Sequence, residues 1–222
     1  MLILFAIATY LALLIQTAVP LWFPFRALIP RADVPRQTAT RTIHPAMRVI
    51  AGTHGGRELT APKGRATRPT SDRVREALFS ILGDVRDLRV LDLFAGSGAL
   101  AIEALSRGAT EATLVDSAAP AVAAIRRNLE ALGLDAEVVR QSALRFLEAA
   151  SRRARQYDLV FLDPPYRHAS TLGRELTSAL TPILAPDARV VAESDRRSPL
   201  GLELVTVDER RYGDTLIQIH AA

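Results

Sequence analysis

Short apolar runs alternate along most of this chain with stretches in which apolar residues recur every three or four positions. The runs are Val90–Leu93, Ala112–Val115, a segment near Ala136–Arg140, Tyr157–Leu162 and Arg189–Glu193. Each has the length of a strand, and their Val and Leu content suits strands buried on both faces. Helical periodicity is expected from about Gly98 to Arg107, Ala118 to Leu132, Ala143 to Arg155 and Leu172 to Leu184. An earlier helix, capped by Thr70 or Ser71, presents Val74, Ala77, Leu78, Ile81 and Leu82 on one face and stops at Gly83. The pattern changes at the end of the chain: Leu202–Asp208 and Thr215–His220 alternate on either side of Gly213, which predicts an antiparallel pair. The fold class is therefore α/β, a doubly wound, mostly parallel seven-stranded sheet with a closing antiparallel pair. Met47–Gly52 and Arg57–Ala61, with glycines between them, add a small N-terminal hairpin.

Residues 1–46 break this pattern. Met1–Val19 carries no charged side chain, and as a helix it would span about 29 Å, just enough for a bilayer. Pro20 and Pro24 then interrupt it, and 26–46 holds four Arg and three Pro without periodicity, which reads as a linker. Three readings compete: a membrane anchor, a targeting segment, or translated upstream sequence with Met47 as the true start. The third is favoured, because everything that looks like an enzyme begins at Met47. The expected organisation is a leader and linker over 1–46, a basic hairpin and helix over 47–83, and a catalytic domain over 84–222.

Charge sharpens the division. The net +4 resolves into +3 over residues 1–46, +5 over 47–75 and −4 over 76–222. A basic arm on a mildly acidic body fits a polyanionic partner met by the arm, although a solvated basic face would look the same. There is no cysteine, which excludes disulfides and thiolate chemistry and fits a cytoplasmic protein. The four histidines share no metal-ligand spacing, so no metal is expected.

The candidate chemistry lies at strand ends. Val90–Leu100 is an apolar run that ends near Asp92, passes Phe94, Gly96 and Gly98 and enters a helix. Such a turn lets a ligand approach the backbone at the positive end of a helix, at the carboxyl edge of a parallel sheet. It lacks the third glycine of a dinucleotide fingerprint and the Gly-Lys-Ser/Thr of a P-loop. Asp116 ends the next strand, where a carboxylate can accept bonds from both hydroxyls of a ribose; the alternative is a cap on the following helix. Asp163-Pro164-Pro165-Tyr166 ends the fourth. The prolines donate no N–H, so their carbonyls stay available as acceptors. A flat base can rest on Tyr166 while Asp163 and a proline carbonyl accept its exocyclic amino hydrogens.

From Met47 onward the chain resembles the bacterial 16S ribosomal RNA guanine-N2 methyltransferases. The resemblance is carried by Arg48–Gly52, Arg68–Phe79, Leu91–Leu100, Ile102–Ala109, Asp163–Tyr166 and Tyr212–Thr215. It implies a Rossmann-like methyltransferase fold, S-adenosylmethionine as cofactor, and 16S ribosomal RNA, in the assembled small subunit, as partner. It further implies that Asp92, Phe94, Gly96 and Gly98 hold the methionine end and that Asp116 takes the ribose. Ser142 and Ala143 would stand at the adenine, and Thr70 beside the cofactor. Asp163, Pro164 and Tyr166 would carry the methyl transfer. Arg48, Lys63, Arg65, Arg68 and Arg73, with Arg57 and Arg75, would meet RNA. The family often has Glu at Asp116 and Asp or Asn near Ser142. Alternatives are a DNA adenine or cytosine amino-methyltransferase, and an inactive nucleic-acid-binding protein of the same fold. A membrane-tethered protein using Met1–Val19 is a third.

Overall fold

The computed structural model describes residues 47–62, 71–164 and 169–222. These belong to the compact unit Ile43–Ala222. The elements in order are α1 (Asp72–Leu82), β1 (Arg89–Leu93), α2 (Ala99–Ser106), β2 (Glu111–Asp116), α3 (Ala119–Leu132) and β3 (Glu137–Arg140). Then come α4 (Ala143–Arg152), β4 (Tyr157–Leu162), α5 (Ala169–Leu180), β5 (Leu184–Asp195), β6 (Val205–Tyr212) and β7 (Thr215–Ala221). The strands form one seven-stranded sheet in the order β3-β2-β1-β4-β5-β7-β6. The first five are mutually parallel, and β7 enters antiparallel between β5 and β6. The expected fold class is borne out.

Both faces of the central strands are covered, as their unbroken apolar sequences require. Val90, Leu114, Leu159, Phe161 and Val191 pack with α1, α2 and α3 on one face. Leu91, Leu93, Val115, Val160 and Leu162 pack with α4 and α5 on the other. In register, Asp92 lies beside Phe161 of β4 and Leu114 of β2. The carboxyl ends of β1 to β4 therefore lie along one edge.

Several boundaries differ from the sequence pattern. The N-terminal hairpin is short, a single antiparallel bridge of Arg48 with Glu58 flanked by the Val49 amide on the Arg57 carbonyl at 2.9 Å and the Leu59 amide on the Met47 carbonyl at 2.7 Å, and its turn is held by α2. The helix expected to reach Leu184 ends at Leu180 in a 3-10 turn, Thr181–Ile183, where Pro182 can supply no N–H to continue an α-helix. Leu184 already belongs to β5, which is longer than its apolar core. The penultimate strand begins at Val205, not Leu202, and runs to Tyr212. The buried face of α1 is Arg75, Leu78, Phe79 and Leu82, one position round from the face expected. Among the described residues no helix is long and apolar enough to cross a membrane; Met1–Val19 lies outside them.

Candidate active site

The turn after β1 is built from unusual backbone. Phe94, Gly96 and Gly98 all have positive φ, at 67°, 58° and 80°. Phe94 pays for this as a non-glycine residue, the kind of strain that clusters at functional turns. Gly98 is needed twice over, since a Cβ there would also lie 2.8 Å from Leu114 Cδ2. Gly96 faces open space: the nearest atom to a Cβ would be the Phe94 carbonyl oxygen, at 3.9 Å. A ligand can approach the chain at that point.

Two carboxylates lock the turn. Asp92 Oδ2 accepts the amide of Ala101 at 3.3 Å, in place of the cap that Gly98 has no side chain to provide. Asp116 Oδ2 accepts the Gly96 amide at 3.0 Å, and its Oδ1 accepts the Ala118 amide at 2.8 Å. Both readings of Asp116 thus meet in one side chain. It holds the start of α3, and each oxygen keeps a second lone pair for a ligand hydroxyl. The next turn is tied in through Gln141, whose amide bonds the Asp116 carbonyl at 3.2 Å. Ser142 follows as the N-cap of α4; it is exposed and makes no side-chain cap bond, and Ala143 is buried beneath it.

Electrostatics set this edge apart. Burial pushes Asp92 up to about 7; the Ala101 amide opposes the rise and the nearby Asp116 charge adds to it. Asp163, just past β4, is also raised well above the carboxylate range, by desolvation first and then by the charges of Glu193 and Asp92. Glu193, near the end of β5, is buried and was missed in the sequence reading. The signal was present: it is the fourth carboxylate at the end of a predicted strand.

The basic arm docks beside the turn. Ser97 Oγ lies 3.5 Å from Met47 sulfur. Asn128 of α3 donates to the carbonyls of Ser97 at 2.9 Å and Thr60 at 3.0 Å, and accepts the Thr60 amide at 2.8 Å. Glu103 of α2, fully buried, accepts the Ile50 and Ala51 amides at 2.6 and 3.0 Å and pairs with Arg107 at 2.7 Å. Nothing in the local pattern marked Asn128 or Glu103.

The structure thus brings Asp92, Phe94, Gly96, Gly98, Asp116, Ser142, Ala143, Asp163 and Pro164 to one edge. Tyr166, Thr70, Lys63, Arg65 and Arg68 lie outside the described residues. Arg73 is exposed, as a phosphate contact must be, and Arg48 is 61% exposed while pairing with Asp72 at 3.2 Å. Arg75 is a correction. It is 1% exposed, bonds Asp72 and the Arg48 carbonyl, and cannot meet RNA from there.

The family model described as Conserved hypothetical protein 95 matches residues 47–221. The chain belongs to this family. YlbH of Bacillus subtilis (strain 168) is 42% identical over 185 residues, covering 78% of this chain and 98% of its own. Ribosomal RNA small subunit methyltransferase D of Haemophilus influenzae is 36% identical over 160 residues, 69% of this chain and 81% of its own. The solved structure of yhhF from Escherichia coli matches with a TM-score of 0.69 and 34% identity, covering 79% of this chain and 97% of its own. The Conserved hypothetical protein 95 match takes in every site residue named above, from Arg48 to Glu193. The family resemblance drawn from the sequence is borne out.

Proposed function

We propose that this protein is an S-adenosylmethionine-dependent methyltransferase that places a methyl on the exocyclic N2 of a guanine in 16S ribosomal RNA, with the assembled small subunit as substrate and the cytoplasm as its setting. The carrying observation is the row of Asp92, Asp116 and Asp163 at the ends of three parallel strands, around a glycine turn with open space at Gly96. The relatives named ribosomal RNA small subunit methyltransferase D support the substrate class.

The residues fit the cofactor. Acceptors at Asp116 suit a ribose, and the open approach to the backbone at Gly96 suits the methionine end. Ser142 and Ala143 border the place for adenine, with Thr70 beside the cofactor. When bound, the cofactor would supply an electrophilic methyl carbon on a positively charged sulfur, a leaving group able to keep the electron pair of the carbon–sulfur bond. The protein orients the acceptor. Asp163 and the Pro164 carbonyl take hydrogen bonds from the target amine and raise the electron density on its nitrogen, with Tyr166 supporting the base. Positioning and fixed charge favour the approach of the amine to the methyl carbon. Arg48, Lys63, Arg65, Arg68 and Arg73 meet the RNA.

The test is product analysis after incubation of the full chain with labelled S-adenosylmethionine and small subunits lacking this methyl, naked 16S RNA or duplex DNA. N2-methylguanosine from the subunits is expected. N6-methyladenine, or transfer only to DNA, would overturn the substrate assignment.

A further inference from the structure

We propose that Glu193 is a positioning residue for methyl transfer, acting through Asp163: its carboxylate lies beside that of Asp163 at adjoining strand ends and makes Asp163 the acceptor of the amine proton. The proposal rests on the function given above and adds a residue and a proton route to it.

The geometry comes from the sheet. Phe161 pairs with Val191 and Leu162 with Ala192 in the parallel register of β4 and β5. Phe161 and Val191 share one face, and Leu162 and Ala192 the other. The next step along both chains brings Asp163 and Glu193 level, and alternation returns both to the first face. Asp92 is on that face too, bonded to α2. Glu193 is 7% exposed, so its charge acts through little solvent.

The carboxyl groups facing Asp163 are Glu193 from β5 and Asp92 from β1, and each raises it when ionised. Asp116 of β2 stands beyond Asp92. On the far side of Glu193, β7 places Ile217 in register and β6 places Arg210 beyond it. Arg210 is 53% exposed and pairs with Asp208 at 3.0 Å. Neighbouring negative charge raises a carboxyl group toward neutrality, which makes it a stronger base.

The chemistry has a use for that base. A guanine amine has its lone pair delocalised into the ring and becomes acidic only as its bond to the methyl carbon forms. One N–C bond forms, one N–H bond breaks, and the proton passes to Asp163 and then to water. A carboxylate poised near the working pH is matched to this step, whereas one with an ordinary value is a weak acceptor. A buried carboxylate at this place is otherwise a cost without a return.

The first test needs no cofactor: carboxyl-carbon NMR titration of the full chain, wild type, Glu193→Gln and Glu193→Asp. Asp163 is expected to titrate above the ordinary carboxylate range in wild type. In Glu193→Gln its midpoint falls by about half a unit or more, and in Glu193→Asp it stays near wild type. The second test is the pH profile of single-turnover transfer to small subunits. Glu193→Gln should move the acidic limb to lower pH by the same interval and lower the plateau about tenfold. KM for subunits and affinity for S-adenosylhomocysteine should stay within about twofold.

An unmoved Asp163 midpoint, an unmoved limb, or a loss confined to KM overturns the proposal. Should Glu193→Gln fail to fold, the wild-type titration decides alone: an Asp163 midpoint in the ordinary range overturns it. Absence of transfer by wild type would strike the function above, while the titration would still report on the pair.

Discussion

Asp116 Oδ2 accepts the amide of Gly96 at 3.0 Å, so the last residue of the second strand holds the glycine turn that follows the first. The same carboxylate is the proposed ribose acceptor. Asp116→Ala removes both functions, and S-adenosylhomocysteine affinity measured calorimetrically should fall about 100-fold, or roughly 2.7 kcal/mol. Asp116→Asn keeps one acceptor oxygen and should lose less. Equal affinity in all three proteins would remove Asp116 from the cofactor site.

Asp92 makes stability depend on pH. Its carboxyl titrates at about 7 in the fold against an ordinary 3.8. The native state therefore holds this proton more tightly than the unfolded chain. The resulting stabilisation is complete below about pH 4 and is lost as pH rises toward 7, on the order of 4 kcal/mol in all. Asp92→Asn cannot ionise and can still accept the Ala101 amide. Its midpoint in thermal unfolding should gain on wild type steadily from about pH 4 to pH 7 and level off above that. A difference that does not change with pH would contradict the buried-acid account.

The arm is fastened by Glu103 and by the close approach of Gly52 to Ser106. A Cβ at Gly52 would overlap the Ser106 carbonyl, and φ there is +83°. Glu103→Ala leaves the Ile50 and Ala51 amides and the partly buried Arg107 without their fully buried acceptor, which should cost about 3 kcal/mol. Gly52→Ala should loosen the arm at less global cost. Amide hydrogen exchange at Ile50 and Ala51 reads this directly: protection should drop in both variants. Unchanged protection would mean that other contacts hold the arm.

Two arginines two residues apart should behave oppositely. Arg73 is exposed, and Arg73→Ala should weaken RNA binding and reduce the salt dependence by about one counterion, with the fold intact. Arg75 is buried against Asp72 and the Arg48 carbonyl, and Arg75→Ala should lower the unfolding midpoint instead. Filter binding over a salt series, with melting curves, separates the two effects.

Much of this architecture was legible in the sequence because burial on both faces leaves unbroken apolar runs. Tyr157–Leu162 is a strand with the bounds its pattern gives, and Asp116 ends β2 as expected. Arg75 was legible too. It stands three, four and seven residues before Leu78, Phe79 and Leu82, on the apolar face of α1, and its charge obscured its place in that period. The docking of the hairpin's turn was not legible. That turn is shaped by Glu103 and Ser106, some fifty residues away in sequence, and no local pattern encodes such a contact. Glu193 followed the same strand-end rule as Asp92, Asp116 and Asp163, yet only the pairing of Leu162 with Ala192, the residues just before each, shows that these two strand ends adjoin.

The most direct measurement is methyl transfer to small ribosomal subunits by wild type and Asp163→Ala, with cosedimentation of each protein on the same subunits. The account predicts N2-methylguanosine from wild type, a loss of transfer of at least about 100-fold in the variant, and unchanged cosedimentation. Transfer retained by Asp163→Ala, or wild type that binds the subunit and never methylates it, would contradict the account.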